Sequence, residues 1–313
     1  MREVARSNDP VFLSYLQAEL AADGIEALVL DAFASSVLQP MNMTALQRVM
    51  VSDDDYWAAW AVVEEAEDRI SEDTILGGRM VLLQPKSGFR AAIDPILLAA
   101  SVPAAAKDQI LDCGTGTGAA AFALAARVRD ASVTGIDVQP DLIALATRAA
   151  HRNASEEQTR FLLVDIAAPP ASFARQMFDH VMSNPPFLGA AHGQIPADPA
   201  RALATVESTA DLATWLGFMA GRLRDGGTLS MIHRRERIDE ITAAFAGRFG
   251  DIKCLELVPV DDGRPVKRAI VQATKGAQVA DMTTGRIVLH EADGRFTDAA
   301  QQVLRDAKAL HIA

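Results

Sequence analysis

The chain has 313 residues, 50% of them apolar and 23% charged, which excludes a disordered polymer and is comfortable for two domains. Its 30 Lys and Arg against 41 Asp and Glu leave a net charge of −11, which excludes a uniformly basic nucleic-acid coat but not a local basic face. The two cysteines, Cys113 and Cys254, lie far apart and form no zinc spacing with the six histidines, so neither a disulfide scaffold nor a metal site is expected, and a reducing, cytoplasmic setting suits the chain.

The opening MREVARSNDP holds no apolar run of the kind a signal peptide needs. Residues 2–6 read as a short strand. Asn8 or Asp9 can cap a helix with Pro10 at its first position, which runs to Ala22 and is ended by Gly24. Residues 25–30 and 48–51 read as strands, and Ser52 and Asp53 open a second helix that carries Trp57, Trp60 and Val63 at helical spacing. Aromatics on one helical face are more often core than ligand site, and Trp57 and Trp60 are read that way. Residues 1–70 hold four basic and thirteen acidic residues, a net −9, which leaves only −2 for the rest and implies two units with different partners. This order of elements, with SNDP at 7–10, AADGI at 21–25 and VMVSDDD at 49–55, resembles the small DUF2007-type module. The resemblance implies a ferredoxin-like α+β fold over residues 1–70 and a regulatory or binding role toward an unknown partner.

Past residue 71 the pattern changes. The most apolar stretch, 91–106, is interrupted by Asp94, Pro95 and Pro103, which argues against a membrane span. Short apolar runs follow at 109–112, 133–137, 160–165, 180–183, 228–232 and 269–273, with helical periodicity at 119–128, 140–153, 211–223 and 238–248. Such alternation predicts an α/β domain over 71–313: a mostly parallel, Rossmann-like sheet with helices on both faces.

Within it, ILDCGTGTG at 110–118 is the strongest local signal. Gly114, Gly116 and Gly118, with Thr115 among them, can turn a buried strand into a helix and let a ligand lie against the peptide groups. Alone, the run also fits a dinucleotide fingerprint or a purely structural turn. Asp112, two residues before the first glycine, favours a cationic amino group and would repel a pyrophosphate. Asp137, followed by Val138, can accept both hydroxyls of a ribose. Asp165, followed by Ile166, can accept an adenine amine or simply hold its own turn.

The fourth run ends in SNPPF at 183–187. Two prolines fix the backbone and remove two donors, so Pro185 and Pro186 leave carbonyls facing a site. The Asn184 side-chain oxygen and the Pro185 carbonyl can each accept a hydrogen from one planar NH₂ group, which aims the nitrogen lone pair. Phe187 offers a ring on which a flipped base can stack. Read with Asp112, Asp137 and Asp165, this motif marks methyl transfer to nitrogen and not hydride transfer.

These motifs resemble the class I S-adenosylmethionine-dependent methyltransferases. QPKSGFRAAIDPILLAASV at 84–102, with Gly88, Phe89, Asp94, Leu97, Leu98 and Ala99 at the matching positions, and IVLHEADGRFTDAAQQVL at 287–304 are further similar to the tRNA1(Val) adenine-N6 methyltransferase family. The resemblance implies S-adenosylmethionine as cofactor. Asp112, Gly114, Thr115, Gly116 and Gly118 would lie along its methionine part, Asp137 and Val138 at the ribose, Asp165 and Ile166 at the adenine, and Asn184 to Phe187 at the acceptor. It implies an RNA substrate, a tRNA first; guanine N2 of ribosomal RNA, a protein glutamine amide, or a non-catalytic binding role are the alternatives. Arg90 and Asp94 fit either a cover over the cofactor pocket or an i,i+4 ion pair. Arg234, Arg235, Arg237, Arg264, Lys267 and Arg268 can contact phosphates or form an ion-paired surface with the acids around them, and His233 reads as structural.

Overall fold

The computed structural model describes residues 1–7, 10–31, 47–86, 90–185, 188–189, 206–207, 211–278 and 281–312. The chain divides into two compact units, Met1–Glu72 with Leu83–Ser87, and Asp73–Leu82 with Gly88–Ala313.

The first unit contains β1 (Arg2–Ser7), α1 (Pro10–Ala22), β2 (Ala27–Asp31), β3 (Gln47–Val51) and α2 (Tyr56–Asp68). β3 lies between the other two strands and is antiparallel to both. Gly24, at φ 75°, ends α1, and the Ile25 amide donates to the Leu20 carbonyl at 2.8 Å. Ser52 starts α2 by accepting from the Asp55 amide at 3.0 Å. The core is Val4, Leu13, Leu16 and Leu20 against Val49, Val51, Ala59, Val63 and Ala66. Ala59, Val63 and Ala66 define the buried stripe of α2, which puts Trp57 and Trp60 on the opposite face. These two are 71% and 43% exposed, so their expected place in the core is corrected. The unit's sheet has three strands in the order β1-β3-β2. The next strand in the chain, β4 (Ile70–Ile75), pairs instead with β5 (Met80–Pro85).

The second unit is built on an eight-stranded sheet. Its elements are α3 (Asp94–Ser101), β6 (Gln109–Cys113), α4 (Ala119–Arg127), β7 (Ser132–Asp137), α5 (Pro140–Arg152), β8 (Thr159–Leu163) and β9 (Phe178–Ser183). Two short paired strands, β10 (Leu188–Gly189) and β11 (Val206–Glu207), lead to α6 (Leu212–Arg222) and β12 (Leu223–Arg234). α7 (Ile238–Ala244), β13 (Phe249–Val258), β14 (Arg268–Lys275), β15 (Thr283–Val288) and α8 (Asp298–Leu304) complete it. The strand order is β15-β13-β14-β12-β9-β6-β7-β8, with β14 antiparallel to both of its neighbours and every other pairing parallel. This is the α/β, largely parallel sheet expected from the alternation.

From β6 the chain lays β7 and β8 to one side, then returns to place β9 and β12 on the other. The strand order therefore reverses between β6 and β9, the point at which open α/β sheets place their ligands outside the strand ends. The ladder sets Asp112 beside Met182 and Cys113 beside Ser183, so the segments that follow both strands emerge side by side. Burial on both faces holds these strands rigid: Ile110, Leu111, Ile136, Val181 and Met182 are all essentially inaccessible. Alanines dominate the wholly buried part of α4, Ala119 to Ala125, and let it lie close to its neighbours. No helix among the described residues is long and apolar enough to cross a membrane.

Candidate functional site

The turn after β6 is fastened over the end of β7. The Gly114 and Thr115 amides both donate to the Ile136 carbonyl at 2.9 Å, and the Gly116 amide donates to Asp137 Oδ2 at 2.9 Å. Gly114, Gly116 and Gly118 have φ of 70°, 55° and 85°, a region that side chains resist. Their surroundings differ. A Cβ on Gly114 would lie 2.7 Å from the Trp215 ring, and one on Gly118 2.8 Å from Phe122, whereas one on Gly116 would meet nothing within 4 Å. The first and third glycines thus serve packing, and the middle one presents open backbone.

Two buried carboxylates stand behind this turn. Asp112 Oδ2 accepts from Thr115 Oγ1 at 2.6 Å, and burial, with a smaller push from Asp137, raises its pKa to about 7. The two Asp137 oxygens accept from the Gly116 and Gln139 amides at 2.9 and 3.0 Å. Burial raises its pKa, while those amides and that of Val138 pull it back. Beside Asp137 the chain exposes Val138, at 38%, and Ile166 is partly buried against the core. Asp165 departs from expectation: β8 stops at Leu163, and Asp165 sits exposed in a turn where its Oδ1 accepts from the Ala167 amide at 2.8 Å. That bond is the local role a turn aspartate commonly takes.

At the tip of β9, Ser183 is fully buried and its hydroxyl donates to the Cys113 carbonyl at 2.8 Å. Next to it, Asn184 Oδ1 is buried without a hydrogen-bond partner, and Pro185 is buried. A buried acceptor left open costs about 1–3 kcal/mol, so a group waiting there for an external donor has a physical reason to exist. Pro186, Phe187, Gly88 and Phe89 lie outside the described residues.

The buried acid at Asp112, the open peptide face at Gly116, the carboxylate of Asp137 at the end of β7 and the unpartnered Asn184 oxygen fit a ligand with a cationic amino group, a pair of hydroxyls and a donor NH₂ nearby. S-adenosylmethionine with an amine acceptor has that character. Three contributors carried no assigned role in the sequence reading. Ser183 was visible only as the first letter of SNPPF, and nothing near Trp215 signals that its ring supports Gly114. Gly135 had a readable signal, a glycine inside a strand; a Cβ there would fall 2.6 Å from both Phe161 and Thr115 Oγ1.

Elsewhere the structure chooses between open readings. Arg90 precedes α3 and bonds Asp73 at 2.6 Å, while Asp94 bonds Arg268 at 3.0 Å, so the two do not form an intrahelical pair. The basic cluster is largely engaged with acids. Arg234 meets Glu236 at 3.3 Å, Arg235 meets Glu256 at 3.0 Å, Arg237 grips Glu240 at 2.8 Å and Arg264 meets Asp262 at 3.0 Å. This favours the ion-paired surface over a phosphate track. His233 is fully buried, and its pKa falls to about 4 through burial first and nearby Arg237 second, which keeps it neutral.

Residues 105–246 match a family described as "Methyltransferase domain", and residues 1–67 match DUF2007, described as "Putative prokaryotic signal transducing protein". A tRNA1(Val) (adenine(37)-N6)-methyltransferase of Aeromonas salmonicida is 29% identical over 214 residues, 68% of this chain and 87% of that protein. A release factor glutamine methyltransferase of Salmonella typhimurium is 34% identical over 143 residues, 44% of this chain and 50% of that protein. Among solved structures, one titled a "predicted O-methyltransferase" from Agrobacterium tumefaciens superposes with a TM-score of 0.57 at 26% identity, covering 70% of this chain and 98% of that one.

Proposed function

With residues 105–246 a methyltransferase domain served by S-adenosylmethionine, we propose that the chain methylates an exocyclic amine of an RNA base, adenine N6 of a tRNA before others. The observation that carries this reading is Asn184. Its buried, unpartnered oxygen stands at the tip of β9, one strand from the glycine turn, and is followed by Pro185, which has no N–H. The cofactor, when bound, supplies an electrophilic methyl group on a sulfonium.

The chain's own residues do the positioning. Asp112 is the group for the cofactor's amino end; Gly114, Thr115, Gly116 and Gly118 line its path, Asp137 and Val138 take the ribose, and Asp165 and Ile166 flank the adenine. Asn184 Oδ1 and the Pro185 carbonyl accept the two hydrogens of the acceptor NH₂, which turns its lone pair toward the methyl and stabilises the charge that grows on nitrogen. Pro186 and Phe187, outside the described residues, keep the roles their chemistry allows: a proline that would stiffen the segment and a ring on which a base would stack. A paired base cannot enter such a notch, so the target is unstacked or flipped.

Support for a tRNA comes from the Aeromonas salmonicida relative, which aligns over 87% of its own length. A second reading, a protein glutamine amide, is favoured by the higher identity to the Salmonella typhimurium enzyme over the shared domain, because that acceptor is also an NH₂ on an sp² carbon. Labelled S-adenosylmethionine offered to tRNA, ribosomal RNA and release factors from a strain lacking the gene separates them. Labelled N6-methyladenosine in tRNA supports the first reading, and label confined to release factor replaces it with the second.

A further inference from the structure

The acidic first unit exposes two of the chain's three tryptophans on one side of α2. Trp57 is 71% exposed and Trp60 43%, one helical turn apart, and Ala61 and Glu64 continue the same exposed stripe. Tyr56 joins them, its ring edge-on to Trp57 at 5.1 Å and 6.2 Å from Trp60. Asp53 and Asp54 lie before the ridge and Glu64 and Glu65 beyond it, all exposed. Two indoles left in water by a helix that buries Ala59, Val63 and Ala66 on its other side have no role in the core of the unit.

The surface already holds one cation of its own. The Arg2 guanidinium lies 3.5 Å above the Tyr56 ring and 5.9 Å from that of Trp57. Aromatic faces attract guanidinium and ammonium groups, and flanking carboxylates strengthen the attraction. Two of the unit's other cations are committed, Arg6 to Glu3 and Arg69 to Glu65. With a net −9 over residues 1–70, the field around the ridge repels phosphates and draws positive charge.

We propose that the Trp57–Trp60 ridge is a docking surface for a cationic polypeptide segment, rich in Arg or Lys, whose basic side chains stack on the indoles and pair with Asp54 and Glu64. Such a surface assigns the acidic unit to a protein partner and leaves the nucleic acid to the second unit.

The test uses the full-length chain and an arginine-rich amphipathic peptide, with its glutamine-for-arginine analogue as control, followed by tryptophan fluorescence and calorimetry. The arginine peptide is expected to bind and to lose affinity with added salt, and the analogue to bind far more weakly. Trp57→Ala with Trp60→Ala should weaken binding by about thirtyfold or more, the loss that marks an interface anchor. Both side chains being exposed, the double variant should keep its melting temperature and its methyl transfer. Equal affinity in the double variant overturns the proposal. So does single-stranded RNA displacing the peptide, or sedimentation showing that the ridge joins two copies of the chain which the double variant separates.

Discussion

The Ser183 hydroxyl donates to the carbonyl of Cys113 across 2.8 Å, joining the last residue of β9 to the last residue of β6. The bond fixes the distance between the turn that would hold the cofactor and the notch that would hold the acceptor. Ser183→Ala should lower stability by about 0.5–1.5 kcal/mol, the usual net worth of such a bond. Because the two halves are then less firmly aligned, kcat should fall while cofactor affinity is kept. Denaturant melts and steady-state kinetics read the two effects. A variant that loses stability but no turnover would show that the bond only holds the sheet.

Asn184→Ala and Asp137→Ala should fail in different ways. Removing the open acceptor at Asn184 takes away an interaction that strengthens only as the acceptor nitrogen becomes cationic. Turnover should drop by about 10²–10³ with cofactor affinity nearly unchanged. Removing Asp137 should weaken S-adenosylmethionine by about ten- to a hundredfold, the value of one charge-assisted contact. It also strands the Gly116 and Gln139 amides, so a lower melting temperature should accompany the loss. Calorimetry with the cofactor and single-turnover methylation distinguish the two. Normal turnover in Asn184→Ala would reject the amine-acceptor mechanism.

Asp112 carries a pH signature. Its pKa in the folded chain is raised to about 7, chiefly by burial. An unfolded aspartate titrates near its ordinary value of about 4. Between these values the folded state keeps a proton that the unfolded state has lost, so this group's contribution to stability falls as pH rises across that window and is flat above it. Asp112→Asn should remove the slope. The cofactor's cationic amino group pairs with the ionised form, so affinity should climb as pH passes about 7 in the native chain and stay level in the variant. Denaturant titrations and calorimetry from pH 5 to 8, roughly the range in which folded proteins are most stable, measure both. A flat affinity profile in the native chain removes Asp112 from cofactor binding.

Two glycines in the same turn offer a paired control. Gly114→Ala and Gly116→Ala both force a side chain into positive φ, at 70° and 55°. Only the first also drives a methyl group to within 2.7 Å of the Trp215 ring. Overpacking of that kind costs about 1–3 kcal/mol beyond the backbone strain, so Gly114→Ala should melt clearly lower than Gly116→Ala. The second variant should fold yet bind the cofactor poorly, because its methyl projects into the open side of the turn. Thermal melts with and without cofactor check this; a fully stable Gly114→Ala would mean that Trp215 moves aside freely.

Much of the sheet was legible because its buried strands are short runs carrying Val, Ile or Leu between helical stretches, as in Gln109–Cys113 and Ser132–Asp137. The glycine turn and Asn184 could be picked out as short motifs, GTGTG and NPPF, and in the structure the first has positive φ at its glycines and the second an open buried acceptor. What was not legible was which of the available side chains each group packs against or pairs with. Spacing put Trp57 and Trp60 on one face of a helix, but only Ala59, Val63 and Ala66 decide which face is buried. Arg234 to Arg237 read either as phosphate contacts or as an ion-paired surface, and the pairs with Glu240 and Glu256 favour the second. The sequence left Asp165 open between an adenine contact and a turn, and it does not show that Oδ1 takes the Ala167 amide.

The 70 residues that separate Ser183 from Cys113 also bear on how the chain reaches this state. β6, β7 and β8 follow one another in sequence and in space, so that half of the sheet can zip as it is made. The inner edge of β6 then waits, unpaired and apolar, for β9 to return across two helices and two strands. Closing so long a loop costs little extra free energy but considerable time, and an open parallel edge is a template for wrong partners meanwhile. A ligand that binds the folded turn between β6 and β7, and not the unfolded chain, draws the waiting population toward the native sheet by mass action. The supply of S-adenosylmethionine should therefore set how much of this chain survives its own synthesis, as well as how fast it works.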